Sequence, residues 1–274
     1  MNTPYPDLHI YYVKGHVRET QSLFGGGFIG NWQEDDAAFL FFDRPADAQV
    51  DDLIRENPDL DLVDRFHMPY ADWHGGEIRA FSTQRFHVAP PWADPEQGDD
   101  RIGLVIDPGV VFGAGTHPTT RSCLEAVEIA CEKGAVSTAL DLGAGTGLLG
   151  LAAARLGCQK VLAVDSIYLA AQTARENIER NQMSSRMLSV CADAAQLVEV
   201  PADLLIANIH FDVMRQIIVN PAFYEKKWFV LSGVLRSQAR RVEELLCYGP
   251  GRIIQRWISE GIWYTYLGTC GGKA

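Results

Sequence analysis

Residues 138–157, TALDLGAGTGLLGLAAARLG, run from an apolar stretch through three glycines in five residues into a helix-forming stretch. A strand, a glycine turn and a helix in that order open a doubly wound sheet, where ligands bind at the carboxyl ends of the strands. The following chain keeps the alternation. KVLAVD (160–165) predicts a strand and YLAAQTARENIERN (168–181) a helix. DLLIAN (203–208) and KKWFVLSG (226–233) predict strands, each followed by helical spacing. This is a mostly parallel α/β sheet covered on both faces. RIIQRWISEGIWYTYLGT (252–269) closes it as two strands around Glu260-Gly261, an antiparallel hairpin.

The first 70 residues carry a different pattern. LHIYYV (8–13), a segment through 28–33, AAFLFF (37–42) and LDLVDRFHM (60–68) predict strands. PADAQVDDLIREN (45–57) has helical spacing, an acidic first turn and a stop before Pro58. With a short helix near 17–24 the order becomes β-α-β-β-α-β, a small α+β unit of ferredoxin-like type. The proline-rich, acidic APPWADPEQGDD (89–100) predicts a linker. The expected domains are 1–88 and 101–274.

Within DLGAGTG (141–147), Gly143, Gly145 and Gly147 let backbone approach a bound molecule. Asp165 ends the next strand 22 residues after Gly143, as an acid for a ribose hydroxyl pair should. GTGLLG (145–150) also fits the dinucleotide pattern G-x-G-x-x-G, which keeps a nicotinamide oxidoreductase as an alternative. The frame favours a different nucleoside. The strand runs into Asp141-Leu142-Gly143, and a carboxylate at that point suits a cofactor with an amino group and a sulfonium, such as S-adenosylmethionine. Asp193, in CADA (191–194), is a candidate acceptor from an adenine amino group or a cap. Asn208 ends IAN on the substrate side, with His210 just beyond it as a candidate base.

A second glycine-rich stretch, DPGVVFGAGTHPTT (107–120), precedes an amphipathic helix over about 117–133. Thr116 or Thr119 is the expected cap, with Pro118 in the first turn. Capping leaves VVFGAG unexplained. Apolar residues beside glycines suit a loop that folds over a bound cofactor.

The formal net charge of −11 and the lack of a Lys/Arg run argue against direct nucleic-acid binding and for a basic partner. No apolar run is long enough to span a membrane. The N-terminus lacks a signal-peptide pattern, so a cytoplasmic location is expected. Six cysteines without CxxC or Cys/His spacing give no metal site and no disulfide framework.

Taken in order, DPGVVFGAGTHPTT, DLGAGTGLLGLAAARLG, AVD, ENIERN, LLIANI and LSGVL resemble the PrmA family, the ribosomal protein L11 methyltransferases. That family carries D-P-G-x-A-F-G-T-G-x-H-x-T-T, then D-x-G-C-G-S-G-x-L, A-N-I-L and S-G-I-L, and the resemblance covers about residues 85–270. It implies a class I methyltransferase with a seven-stranded sheet and S-adenosylmethionine as methyl donor. Thr120, Gly143, Asp165 and Asn208 match cofactor positions. The acceptor implied is a protein amine, a lysine side chain or an N-terminal amine, on a ribosomal protein. On this reading Asn208 orients the amine, and Thr116 and His117 close the site. A small-molecule acceptor and a non-catalytic assembly factor are the alternatives within the fold. Ala114 in place of Thr, Ala144-Gly145-Thr146 in place of C-G-S, and His210 in place of Leu depart from the family pattern.

Overall fold

In the computed structural model, residues 3–17, 25–93 and 100–271 are described. The helix expected near 17–24 lies almost wholly outside these residues, as do positions 94–99 of the expected linker. The chain divides into two compact units, with Arg79 opening the second.

The first unit holds β1 (Asp7–Lys14), β2 (Phe28–Glu34), β3 (Ala37–Phe42), α1 (Asp47–Glu56), β4 (Asp61–Pro69) and α2 (Tyr70–Trp73). The strands form one antiparallel sheet in the order β2-β3-β1-β4. Alternation explains its core. Tyr11 and Val13 of β1 and Leu40 and Phe42 of β3 are buried in one cluster with Val50 and Leu53 of α1. The Tyr11 hydroxyl accepts from Ala46 N at 2.8 Å, fixing the entry to α1.

The second unit opens with three short strands, β5 (Phe81–Ser82), β6 (Phe86–Ala89) and β7 (Ile102–Val105), paired in the order β5-β6-β7. None is long enough for its alternation to be read from sequence. Then follow α3 (Pro118–Lys133), β8 (Thr138–Leu142), α4 (Leu148–Arg155), β9 (Lys160–Asp165), α5 (Tyr168–Arg180) and β10 (Met187–Cys191). The remaining elements are β11 (Leu204–Asn208), α6 (Phe211–Val219), β12 (Trp228–Leu235), α7 (Arg236–Tyr248), β13 (Gly251–Ser259) and β14 (Trp263–Cys270).

The large sheet has the order β10-β9-β8-β11-β12-β14-β13. It is parallel through β12, and β14 runs antiparallel to both neighbours. The expected α/β sheet with a closing hairpin is therefore present. Leu204 to Ala207 of β11 are fully buried, as a strand covered on both faces requires. From β8 the chain first builds outward through β9 and β10, then returns to β8's other side with β11. The order reverses between β8 and β11, and a crevice opens at their carboxyl ends. Gly143 follows β8, and Asn208 ends β11.

Candidate active site

The two glycine loops meet at this crevice. All six of their glycines, at 109, 113, 115, 143, 145 and 147, have positive φ. Gly145 shows why: at φ +54°, a Cβ there would lie 2.3 Å from the Phe112 carbonyl oxygen. Thr146 stitches the second loop to the first through two donors. Thr146 N donates to Phe112 O at 3.1 Å, and Thr146 Oγ1 donates to Gly113 O at 2.8 Å.

The loop after β8 leaves none of its amides for an anion. Gly143 N and Ala144 N both donate to Val164 O, and Gly147 N donates to Ala144 O. Gly145 N donates to Asp165 Oδ2 at 2.9 Å. Asp141 Oδ2 accepts from Gly150 N, in the first turn of α4, at 2.8 Å. A dinucleotide site keeps such amides and the helix dipole for a pyrophosphate. Here a buried carboxylate already occupies that role. Burial raises the Asp141 carboxyl to about 7, with the charge of Asp165 adding to the effect.

The first loop, which has no strand of its own, is fastened by side chains distant in sequence. Asn177, fully buried on α5, accepts from Asp107 N at 2.8 Å. Its Nδ2 donates to Asp107 O at 2.8 Å and to Thr146 O at 3.0 Å. One turn on, Asn181 pairs with both Val105 N and Val105 O, at 3.0 and 2.7 Å. Arg180 adds an ion pair to Asp107 at 3.2 Å. ENIERN is thus a clamp, a role that its helical spacing alone did not reveal.

Helix α3 begins where the first loop ends. Its cap is His117 rather than Thr116 or Thr119, with Pro118 at the first helical position. Proline there removes an amide that would have no partner, and the imidazole Nδ1 accepts from Thr119 N at 3.4 Å. Thr119 Oγ1 lies 2.8 Å from the same Nδ1. Asn208 Nδ2 donates to Thr119 Oγ1 at 3.1 Å. Thr119 Oγ1 also lies 3.3 Å from Asn208 Oδ1, but with Nδ1 accepting from Thr119 N the shorter bond takes the hydroxyl proton. This gives the direction Asn208 amide to Thr119 hydroxyl to neutral His117 nitrogen. Burial holds His117 below the usual imidazole range, consistent with that neutral acceptor. Trp263 of β14 packs edge-on against the His117 ring, with centroids 4.7 Å apart.

The remaining candidates separate. Thr120 is buried at 2% exposure, and its Oγ1 has no hydrogen-bond partner among the described residues. Thr116 is exposed just before the cap. Asp193 accepts from Ala195 N at 2.9 Å and from Gln196 Nε2 at 3.3 Å, so it caps a turn. His210 is exposed at the start of α6. Ala114 and Ala144, two departures from the family pattern, are both buried. Sequence reasoning brought Asn208 and His117 to one place but missed Thr119 as their link, and Trp263 entirely.

A family model for ribosomal protein L11 methyltransferase (PrmA) matches residues 67–269. The chain belongs to this family. The ribosomal protein L11 methyltransferase of Desulforamulus reducens is 34% identical over 217 residues, 76% of this chain and 70% of that protein. The one from Aeromonas hydrophila is 38% identical over 183 residues, 64% of this chain and 60% of that protein. The chain therefore spans less than two thirds of the Aeromonas protein's length. The crystal structure of ribosomal protein L11 methylase from Lactobacillus delbrueckii subsp. bulgaricus superposes with a TM-score of 0.62 at 25% identity. That match covers 71% of this chain and all of that one. Nothing among these relatives supports the nicotinamide oxidoreductase alternative. No helix among the described residues is long and apolar enough to cross a membrane.

Proposed function

We propose that this PrmA-family methyltransferase transfers methyl groups from S-adenosylmethionine to amines of ribosomal protein L11, on lysine side chains or the N-terminus. The residues at the crevice suit that donor. Thr120 Oγ1 is a buried polar atom lacking a partner among the described residues, and Asp165 lies at a strand end beside Gly145. The loop offers close backbone approach without a phosphate nest. Thr120, Gly143, Gly145, Gly147 and Asp165 are the residues that would hold the donor, with Asp141 supporting the loop from beneath. When bound, the donor supplies an electrophilic methyl on a sulfonium.

The observation that carries the reading is the directed run from Asn208 through Thr119 to His117. Because the Thr119 hydroxyl proton goes to His117 Nδ1 at 2.8 Å rather than to Asn208 Oδ1 at 3.3 Å, that Oδ1 keeps its capacity to accept an N–H from an incoming amine. A lysine ammonium has a pKa of about 10.4 and cannot act as a nucleophile while protonated. Burial beside Asn208 and Trp263 disfavours the charged form, so the proton leaves to solvent before transfer. Holding the neutral amine by one fixed acceptor supplies orientation, and no strong base is required. The run needs His117 neutral. Protonating Nδ1 removes its acceptor, so turnover falls as pH drops through the depressed His117 value.

Calorimetry with S-adenosylmethionine and with NADH, followed by transfer of labelled methyl to purified ribosomal protein L11, tests the reading. Donor binding with labelled L11 is the expected result. Binding of NADH alone would overturn it. Label only on a small metabolite would reassign the acceptor, and donor binding without turnover would indicate a non-catalytic role.

A further inference from the structure

The tip of the β13–β14 hairpin is anchored on both sides to the helix that opens the site. Ser259, the last residue of β13, has its Oγ 3.1 Å from Ser122 Oγ on α3. Trp263, the first of β14, rests against His117 at the α3 cap. Between these anchors, Glu260 and Gly261 turn the chain with φ of +53° and +69°.

They are the central pair of a β-turn closed by Ile262 N donating to Ser259 O at 3.1 Å, and a turn with both central φ positive favours Asn or Asp before Gly. A glutamate in the first place is costly, because the left-handed conformation crowds its Cβ against the following carbonyl and the longer side chain gives no local compensation. Among the described residues no cation pairs with Glu260, and its side chain is exposed. An unfavourable backbone at a residue with no structural partner points to use rather than packing.

A general acidic field does not explain it. Residues 1–78 contain 15 acidic and five basic residues, whereas 79–274 contain 20 and 19. The net charge therefore resides almost entirely in the first unit's sequence. Glu260 belongs to a unit that is nearly neutral, and the field of its carboxylate reaches His117.

We infer that Glu260 is a specificity-determining residue, whose carboxylate at the lip of the site draws in and orients the cationic surface carrying the acceptor amine. This rests on the protein-amine reading above. The carboxylate acts on the ammonium before entry, where opposite charge speeds encounter and fixes approach. It stays outside the half-buried run from Asn208 to His117, so the amine is free to lose its proton past the lip. An exposed pair of this kind alters capture of the acceptor more than the transfer step.

The test uses the full chain, purified ribosomal protein L11 and labelled methyl donor. Charge reversal, Glu260→Lys, should raise KM for L11 about tenfold with kcat within about twofold. Raising salt from about 50 to about 300 mM should narrow the gap to the unsubstituted protein. Glu260→Asp should keep most of the affinity. Glu260→Asn separates charge from turn geometry. Asn fits the turn better, so Tm should rise while KM for L11 also rises. Calorimetry with S-adenosylhomocysteine should give the same Kd for every variant. An unchanged KM in Glu260→Lys would overturn the proposal, as would KM changes that follow Tm or cofactor Kd. Failure of the unsubstituted protein to methylate L11 would instead remove the function reading, and this proposal with it.

Discussion

The two glycine loops have the same chemistry and opposite means of support. DLGAGTG is held by its own sheet: the Val164 carbonyl and the Asp165 carboxylate on the neighbouring strand take three of its amides. DPGVVFGAGTHPTT has no strand beneath it and depends on Asn177, Arg180 and Thr146, supplied from 33 to 73 residues along the chain. The first kind of loop comes with any doubly wound sheet. The second must be assembled by specific long-range side chains, so it marks a narrower class of protein.

If the loops form one device, the largest effect should come from the glycine where they touch. Gly145→Ala forces a Cβ against the Phe112 carbonyl at a positive φ. It should cost about 2–4 kcal/mol of stability and abolish cofactor binding. Chemical denaturation and calorimetry with S-adenosylhomocysteine would measure both. A stable variant with normal affinity would show that the loops act independently. Asn177→Ala comes next. It strips partners from Asp107 N, Asp107 O and Thr146 O in a buried place. The expected loss is about 2–3 kcal/mol. Proteolysis should then cut within 107–116 while the loop after β8 stays protected. Equal exposure of both loops would contradict the contrast.

The same contrast explains what was legible in the sequence. The elements of the large sheet from β8 onward, β10 apart, show in the pattern because each is a local run of correct period, and Gly143 and Asp165 follow from the spacing between adjacent strands. The hairpin tip is visible for the same reason, as Glu260-Gly261 between two strand-patterned runs. Contacts made over distance leave no local trace. Asn177 reads as an ordinary polar helix residue, and Thr119 as one of two candidates for a cap that His117 in fact provides. Trp263 reads as strand hydrophobicity. The strands β5 to β7 are too short to show a period, and pairing in a three-stranded sheet holds them in place.

Asp141 sharpens the comparison through pH. In the folded chain its carboxyl titrates at about 7, against 3.8 ordinarily. Between those values the folded protein keeps a proton that the unfolded chain has lost, so stability falls as pH rises through the window. Asn at this position can still accept from Gly150 N. Asp141→Asn should therefore flatten the slope between pH of about 4 and about 7 and gain most above it. Urea denaturation at several pH values would show this. Stability that rises with pH across the window, and does so less in the variant, would mean that Asp141 is ionised in place.

The smallest stability effect and the most selective functional one should come from Thr120. Its Oγ1 is buried without a hydrogen-bond partner among the described residues, so the hydroxyl adds no hydrogen bond to the fold there. Thr120→Val keeps the shape and removes only that atom's polarity. Ordinarily, loss of a buried hydroxyl that is bonded internally costs about 1–3 kcal/mol. Here the change should lie within about 0.5 kcal/mol or be slightly stabilising, because an unpaired polar group leaves the interior. Affinity for S-adenosylhomocysteine should nevertheless fall several-fold, and thermal stabilisation by that ligand should fall with it. A large stability loss with unchanged affinity would give Thr120 a structural partner instead of a ligand. The expected split would separate a residue kept for the cofactor from Asn177, whose loss should damage fold and binding together.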